Sequence, residues 1–215
     1  MARLLDISPP VHPGIGVWPD DVPYRREVSL SFAFGDHLEL SSVQSTLHLG
    51  AHADAPIHYV AGGAGIAARP LDRYLGPCEV VAVDGVRGRR LLPADLPGPV
   101  RAPRVLLRTG SFPDPDAWNE DFASLSPELV HHLADQGVVL VGIDTPSVDP
   151  QDSKDLPSHG ALAARDLAVL EGLVLRDVTP GVYTLLALPL RLVDADASPV
   201  RAVLVDDGGA AFAAR

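Results

Sequence analysis

Between residues 48 and 58 the chain reads HLGAHADAPIH, a stretch that suits neither a helix nor an unbroken strand. Gly50 and Pro56 both oppose a helix. In an ideal strand His48, His52, Asp54 and His58 would share one face, because all four positions are even. Yet a strand rises roughly 3.3 Å per residue, so His48 and His52 would stand about 13 Å apart at Cα. Two imidazoles holding one ion at about 2.1 Å barely meet across that gap. What remains is a bent segment leaving a strand, with Gly50 supplying the bend. Such a bend lets His48, His52 and Asp54 converge and leaves His58, beyond the stiff Pro56, near the ligand group but outside it. The spacing H-x₃-H-x-D is short, so taken alone it leaves both a metal site and a chance cluster open.

A second cluster lies in PSHGALAARDLAVLEGL, which holds His159 and Glu171. Ser158 is placed to cap a helix that begins at His159. Glu171 sits between Leu170 and Gly172-Leu173, where a carboxylate is costly to bury unless it is paired or bound to a cation. The alternative is a solvated carboxylate at a helix end. With Glu171 the set becomes three imidazoles and two carboxylates, which suits zinc, or manganese as the other borderline ion. Five ligands exceed what one tetrahedral zinc needs. Either one ion has an expanded shell, or Asp54 and Glu171 bridge two. Cys78, the only cysteine, opens the apolar run CEVVAVDG and reads as a small buried hydrophobe, so no thiolate enters the set.

The 215 residues suffice for one domain spanning 1–215, and 47% apolar content excludes a disordered chain. A formal charge of −11 argues against nucleic acid and anionic membrane as partners. No apolar run is long enough to span a bilayer, and the start lacks the apolar stretch of a secretory signal, so a soluble, cytoplasmic protein is expected. Residues 27–34 and 38–47 alternate as half-buried strands do. Residues 79–83, 105–108, 138–143, 183–188 and 202–205 are continuously apolar, as in strands covered on both faces. Ser126-Pro127-Glu128 starts a helix that Gly137 ends, with Leu129, Val130 and Leu133 on one side. Residues 87–104 read as a surface excursion and 114–121 as a solvated acidic loop. His12, His37, His131 and His132 receive no role. The fold expected is α/β, a mixed, barrel-like sheet of the swivelling type with a few flanking helices.

The stretch HLGAHADAPIH also resembles the H-x-G-T-H-x-D-x-P-x-H signature of the metal-dependent cyclase-like hydrolase family. The likeness continues through LLDISPPV, VWPDDVPY, GIDTPSVDPQDSKDLPSHGAL, LAVLEGLVL, GVYTLLALPLRL and DADASPVRAVL. Residues 142–175, with Ser153-Lys154-Asp155-Leu156-Pro157, favour the arylformamidase branch. The resemblance implies a homodimer with a compact α/β fold. It implies His48, His52, Asp54, His159 and Glu171 as ligands of two Zn²⁺ ions per subunit, with Asp54 and Glu171 bridging and Mn²⁺ the alternative. His58 matches the catalytic proton donor and acceptor, and Trp18 a tryptophan that contacts an aromatic substrate. The implied reaction is hydrolysis of N-formyl-L-kynurenine to L-kynurenine and formate, in tryptophan degradation. Ala51 replaces the usual Thr, which implies a lost supporting hydrogen bond rather than a lost ligand. Asp20 follows Trp18-Pro19 where Gly is commoner, which puts the turn and the pose of Trp18 in question. Two rivals stand: a family amidase acting on a cyclic imide or isatin-like substrate, and a metal-binding or sensing protein without turnover.

Overall fold

Short apolar runs punctuated by glycine and proline become strands here, and they are long enough to pair but too short to be helices. The computed structural model describes residues 3–208 and 210. Among them the order is β1 (Arg3–Asp6), β2 (Arg25–Leu30), β3 (Leu40–Gln44), β4 (His52–Asp54), β5 (Leu75–Ala82), β6 (Arg90–Leu91), β7 (Arg104–Arg108) and β8 (Ser124–Leu125). Then come α1 (Pro127–Asp135), β9 (Leu140–Ile143), α2 (Pro157–Ala164), β10 (Ala168–Glu171), β11 (Gly181–Leu186), β12 (Ala197–Pro199) and β13 (Val203–Asp206). Nine strands form one curled, mixed sheet in the order β1-β13-β11-β5-β7-β9-β10-β4-β12. Its centre, β5-β7-β9-β10, is parallel, and the strands outside it pair antiparallel.

The parallel centre explains the apolar runs at 79–83, 105–108 and 138–143, because both faces are covered, whereas 183–188 and 202–205 fall on antiparallel strands that are only partly covered, contrary to expectation. On one face Val105, Leu107, Val141, Ile143 and Val169 pack against Leu129, Val130 and Leu133 of α1 and Leu162 of α2. On the other, Leu106, Leu140, Ala168 and Leu170 pack with Tyr74, Leu185 and Leu204. Helix α1 forms as its sequence dictates: the Ser126 side chain accepts from the Leu129 amide, Pro127 takes the first turn, and Gly137 follows at φ 84°. No helix among the described residues is long and apolar enough to cross a membrane.

Three local expectations are corrected. Residues 27–34 and 38–47 hold strands, as expected, but these strands are not half-buried. β2 and β3 form a separate, largely exposed two-stranded sheet, and Phe32–Phe34 is a single 3₁₀ turn capped by Ser31. The second helix starts at Pro157, not His159. Leu156 precedes it at a left-handed φ of 43°, and Ser158 is buried inside the first turn, its hydroxyl donating to the Leu125 carbonyl instead of capping. The bend at Gly50 (φ 56°) lies before β4, so the segment bends into a strand rather than out of one.

Strand parity then decides where the chemistry goes. In the β10–β4 pairing Leu170 faces Ala53 and Glu171 faces His52. Leu170 and Ala53 belong to the core that lacks the helices, so His52, Asp54 and Glu171 project to the opposite face. Helix α2 covers that face and carries His159. Glycines 50 and 172 let the two ligand-bearing strands approach. Gly172 has φ 65°, and a Cβ there would land on the Gly50 carbonyl, so only glycine fits.

Candidate metal centre

Asp54, at the end of β4, is the hub of the site. Its side chain is fully buried, and Oδ1 lies 3.0 Å from His48 Nδ1 and 3.4 Å from His52 Nε2. Oδ2 lies 3.4 Å from His159 Nε2. Glu171 divides its oxygens the same way, with Oε2 3.3 Å from His52 Nε2 and Oε1 3.6 Å from His159 Nε2. The His52 ring donates from Nδ1 to the Gly50 carbonyl at 2.8 Å. A carbonyl only accepts, so that nitrogen carries the proton and Nε2 is left with its lone pair. His159 places Nδ1 2.7 Å from Asp149 Oδ2, which again turns Nε2 inward. His48 mirrors them: Nε2 meets Asp196 Oδ2 at 2.9 Å and Nδ1 points to the cluster.

These inward atoms lack ordinary partners. His52 Nε2, His159 Nε2 and both Asp54 oxygens are buried without a hydrogen bond. Buried polar groups left this way cost about 1–3 kcal/mol each, more if charged. Their spacing fits a cation: two ligands each about 2.1 Å from one tetrahedral ion stand roughly 3.4 Å apart. The charge balance agrees. Burial alone would raise the Asp54 carboxyl, but the His159 and His48 rings beside it outweigh that and hold Asp54 well below the usual carboxylate range. Burial works to lower His48, yet Asp54 and Asp196 push it up to about 9. The protein therefore keeps two adjacent buried carboxylates ionised and surrounds them with imidazole nitrogens. That donor set suits Zn²⁺ or Mn²⁺.

His58 follows in the Pro56–His58 turn. Its ring lies 4.2 Å from that of His48 and 5.8 Å from that of His159. Burial lowers its pKa, so it rests as a neutral imidazole beside the cluster. It also forms a trio with His48 and Asp54 whose ligand atoms fall within 4.8 Å of one another. The cluster opens into a cleft of about 320 Å³ lined by Trp18, Phe112, Trp118, His58 and Lys154. Trp18 meets Trp118 edge-on, with centroids 5.4 Å apart. Asp20 sits at a left-handed φ of 70°, where Asp is tolerated better than most residues, and the Asp21 amide still closes the turn onto the Trp18 carbonyl at 3.0 Å. Ala51 is buried in the core on the far face of the sheet.

Sequence reasoning missed four supports of this site. Asp149 accepts from the His159 ring and amide and from Arg90, which reaches in from the 87–104 excursion. Asp196 stands between His48 and His58. Trp118 and Phe112 line the cleft, so the acidic loop 114–121 is not merely solvated: its Trp118 turns inward and donates to Gln151. The one available signal was a tryptophan amid acidic residues. His12, His37, His131 and His132 are exposed and away from the cluster.

Comparison with known proteins agrees with this geometry. Residues 5–150 match the Cyclase family model, described as "Putative cyclase". Kynurenine formamidase of Bordetella petrii is 46% identical over 97% of this chain and 100% of its own length. That of Bordetella pertussis is 48% identical over 95% and 98%. Among solved structures, a predicted metal-dependent hydrolase from Bacillus stearothermophilus superposes with a TM-score of 0.80 at 29% identity, covering 96% of this chain and 99% of that one. An isatin hydrolase bound to the product analogue thioisatinate gives 0.80 at 19% identity, over 95% and 92%, which speaks for the fold alone.

If Asp149 orients His159 for a cation, Asp149→Asn should weaken zinc affinity about 10–100-fold with the fold retained. Competition against a chromogenic chelator measures this. Unaltered affinity would mean that Asp149 serves only the start of α2.

Proposed function

Because this chain belongs to the cyclase family, we propose that it acts as a metal-dependent kynurenine formamidase, hydrolysing N-formyl-L-kynurenine to formate and L-kynurenine. The observation that carries the reading is the set of buried, unpartnered nitrogen and oxygen atoms around Asp54, at the base of a cleft walled by aromatic rings. Near-full-length similarity to two kynurenine formamidases supports the choice of substrate.

In this reading His48, His52, Asp54, His159 and Glu171 would hold the metal, two Zn²⁺ ions per subunit, with Asp54 and Glu171 the carboxylates shared between them. Metal held there would supply Lewis acidity, enough to bring the pKa of water down towards about 7 and to polarise a carbonyl oxygen. The chain's own residues do the rest. Trp18 holds the substrate's aromatic ring. His58, neutral at rest, takes a proton from the attacking water and returns it to the departing anilide nitrogen as the C–N bond breaks. Asp196, 4.0 Å from His58 Nδ1 and bonded to His48, steadies both rings. A role on isatin-like substrates has less support, because the isatin hydrolases compared lie at 19–21% identity.

The assembly proposed is a homodimer in the cytoplasm, in keeping with a single buried cysteine. The β2–β3 sheet and the 3₁₀ turn between its strands expose Phe32, Phe34, Leu40 and Val43 at 52–79%, a surface that a second copy would cover.

His58→Ala should keep its metal and lose about 10²–10⁴ in formate release from N-formyl-L-kynurenine. Loss of metal along with activity would make His58 a ligand instead. For the assembly, Phe34→Asp with Val43→Asp should halve the mass seen by sedimentation. A wild-type protein that already sediments as one chain would refute the dimer.

A further inference from the structure

The cleft has a second chemical feature that neither the metal cluster nor the aromatic wall uses. Lys154 is the only lysine in the chain, and it lines the cleft. Among the described residues no arginine lines it. Lys154 forms no hydrogen bond or ion pair with another described residue, whereas the arginines around the site are engaged: Arg90 with Asp149, Arg108 with Asp84, Arg69 and Arg73 with Asp166. The loop that carries it is held in a costly shape. Leu156, two residues on, sits at φ 43°, a left-handed conformation that a leucine pays for with about 1–2 kcal/mol. Pro157 then anchors α2, whose His159 belongs to the cluster. The loop's position is thereby tied to that of the metal ligands.

Resting on the formamidase reading, we infer that Lys154 binds the α-carboxylate of the substrate and so makes the site selective for amino-acid formamides. The charge argument is direct. The α-carboxylate of the zwitterionic substrate needs a cation beside it in a chain of net charge −11, and Lys154 is the cleft-lining cation that stands outside the cluster. An ammonium on a flexible four-carbon stem reaches a carboxylate without fixing its orientation in advance. The carboxylates lining the cleft supply the complement. Both Asp144 oxygens are taken up by Thr109 and the Gly110 amide, and Glu171 belongs to the cluster. Among the described residues Asp21 accepts only from the Val22 amide, through Oδ1, which leaves its other oxygen for the substrate ammonium.

The test compares N-formyl-L-kynurenine with 2′-formamidoacetophenone, which keeps the ring, ketone and formamide but lacks the amino-acid end. In the wild type, kcat/KM should favour the former about tenfold or more, as expected for a charge-assisted contact. Lys154→Met should erase most of that ratio, chiefly through KM, and Lys154→Arg should keep most of it. A purely structural lesion lowers both substrates alike. An undiminished ratio in Lys154→Met would overturn the inference. Should the wild type hydrolyse neither formamide, the reading of the reaction fails. Lys154 is then judged by calorimetry on the zinc-loaded protein with L-kynurenine and 2′-aminoacetophenone. A preference for L-kynurenine lost in Lys154→Met supports the carboxylate contact, and equal affinities in the wild type refute it.

Discussion

Two carboxylates buried side by side govern this structure. Asp54 and Glu171 have side chains at most 3% exposed, and each raises the cost of ionising the other. The effective penalty for burying such a charge is several kcal/mol. The protein meets it with three imidazoles whose far nitrogens are fixed, by the Gly50 carbonyl for His52 and by Asp149 and Asp196 for the other two. Everything near the site serves that arrangement: the parity of β4 and β10, the close approach of glycines 50 and 172, and the placement of α2. A frame of this kind holds the donor atoms at a spacing that fits a cation.

Much of this was legible in the sequence. The close spacing of His48, His52 and Asp54 marked a cluster, and Gly50 announced the bend that lets them converge. The capping set Ser126-Pro127-Glu128 named α1 outright. Continuous apolar runs named the covered strands, because a parallel sheet with helices on one face and a second core on the other needs them. Local pattern failed where tertiary packing overrode it. Alternation in 27–34 and 38–47 suggested half-buried strands, but that pattern also suits a solvent-facing hairpin. Ser158 looked like a helix cap, yet Arg90 and the Leu125 carbonyl claim its hydroxyl from distant segments, and Pro157 opens the helix one residue sooner.

The supports of the site were the least legible part. Asp149 and Asp196 are single acidic residues in loops, and nothing local marks them. Their meaning comes from contacts to residues 10 and 148 positions away along the chain. Trp118 was hidden in an acidic stretch whose charge suggested solvent alone. The cleft is thus assembled from segments unremarkable in isolation, around a cluster that is conspicuous. The division suits a hydrolase in which metal chemistry is shared across a family and the walls choose the substrate.

The central claim is that Asp54 and Glu171 sit between two divalent cations. Anomalous diffraction from crystals of the zinc-loaded protein, recorded on both sides of the zinc edge, tests it directly. Two peaks are expected, one on the His48–His52 side of the carboxylates and one on the His159 side. A map with one peak or none at the cluster, or with its signal elsewhere on the chain, would contradict the account.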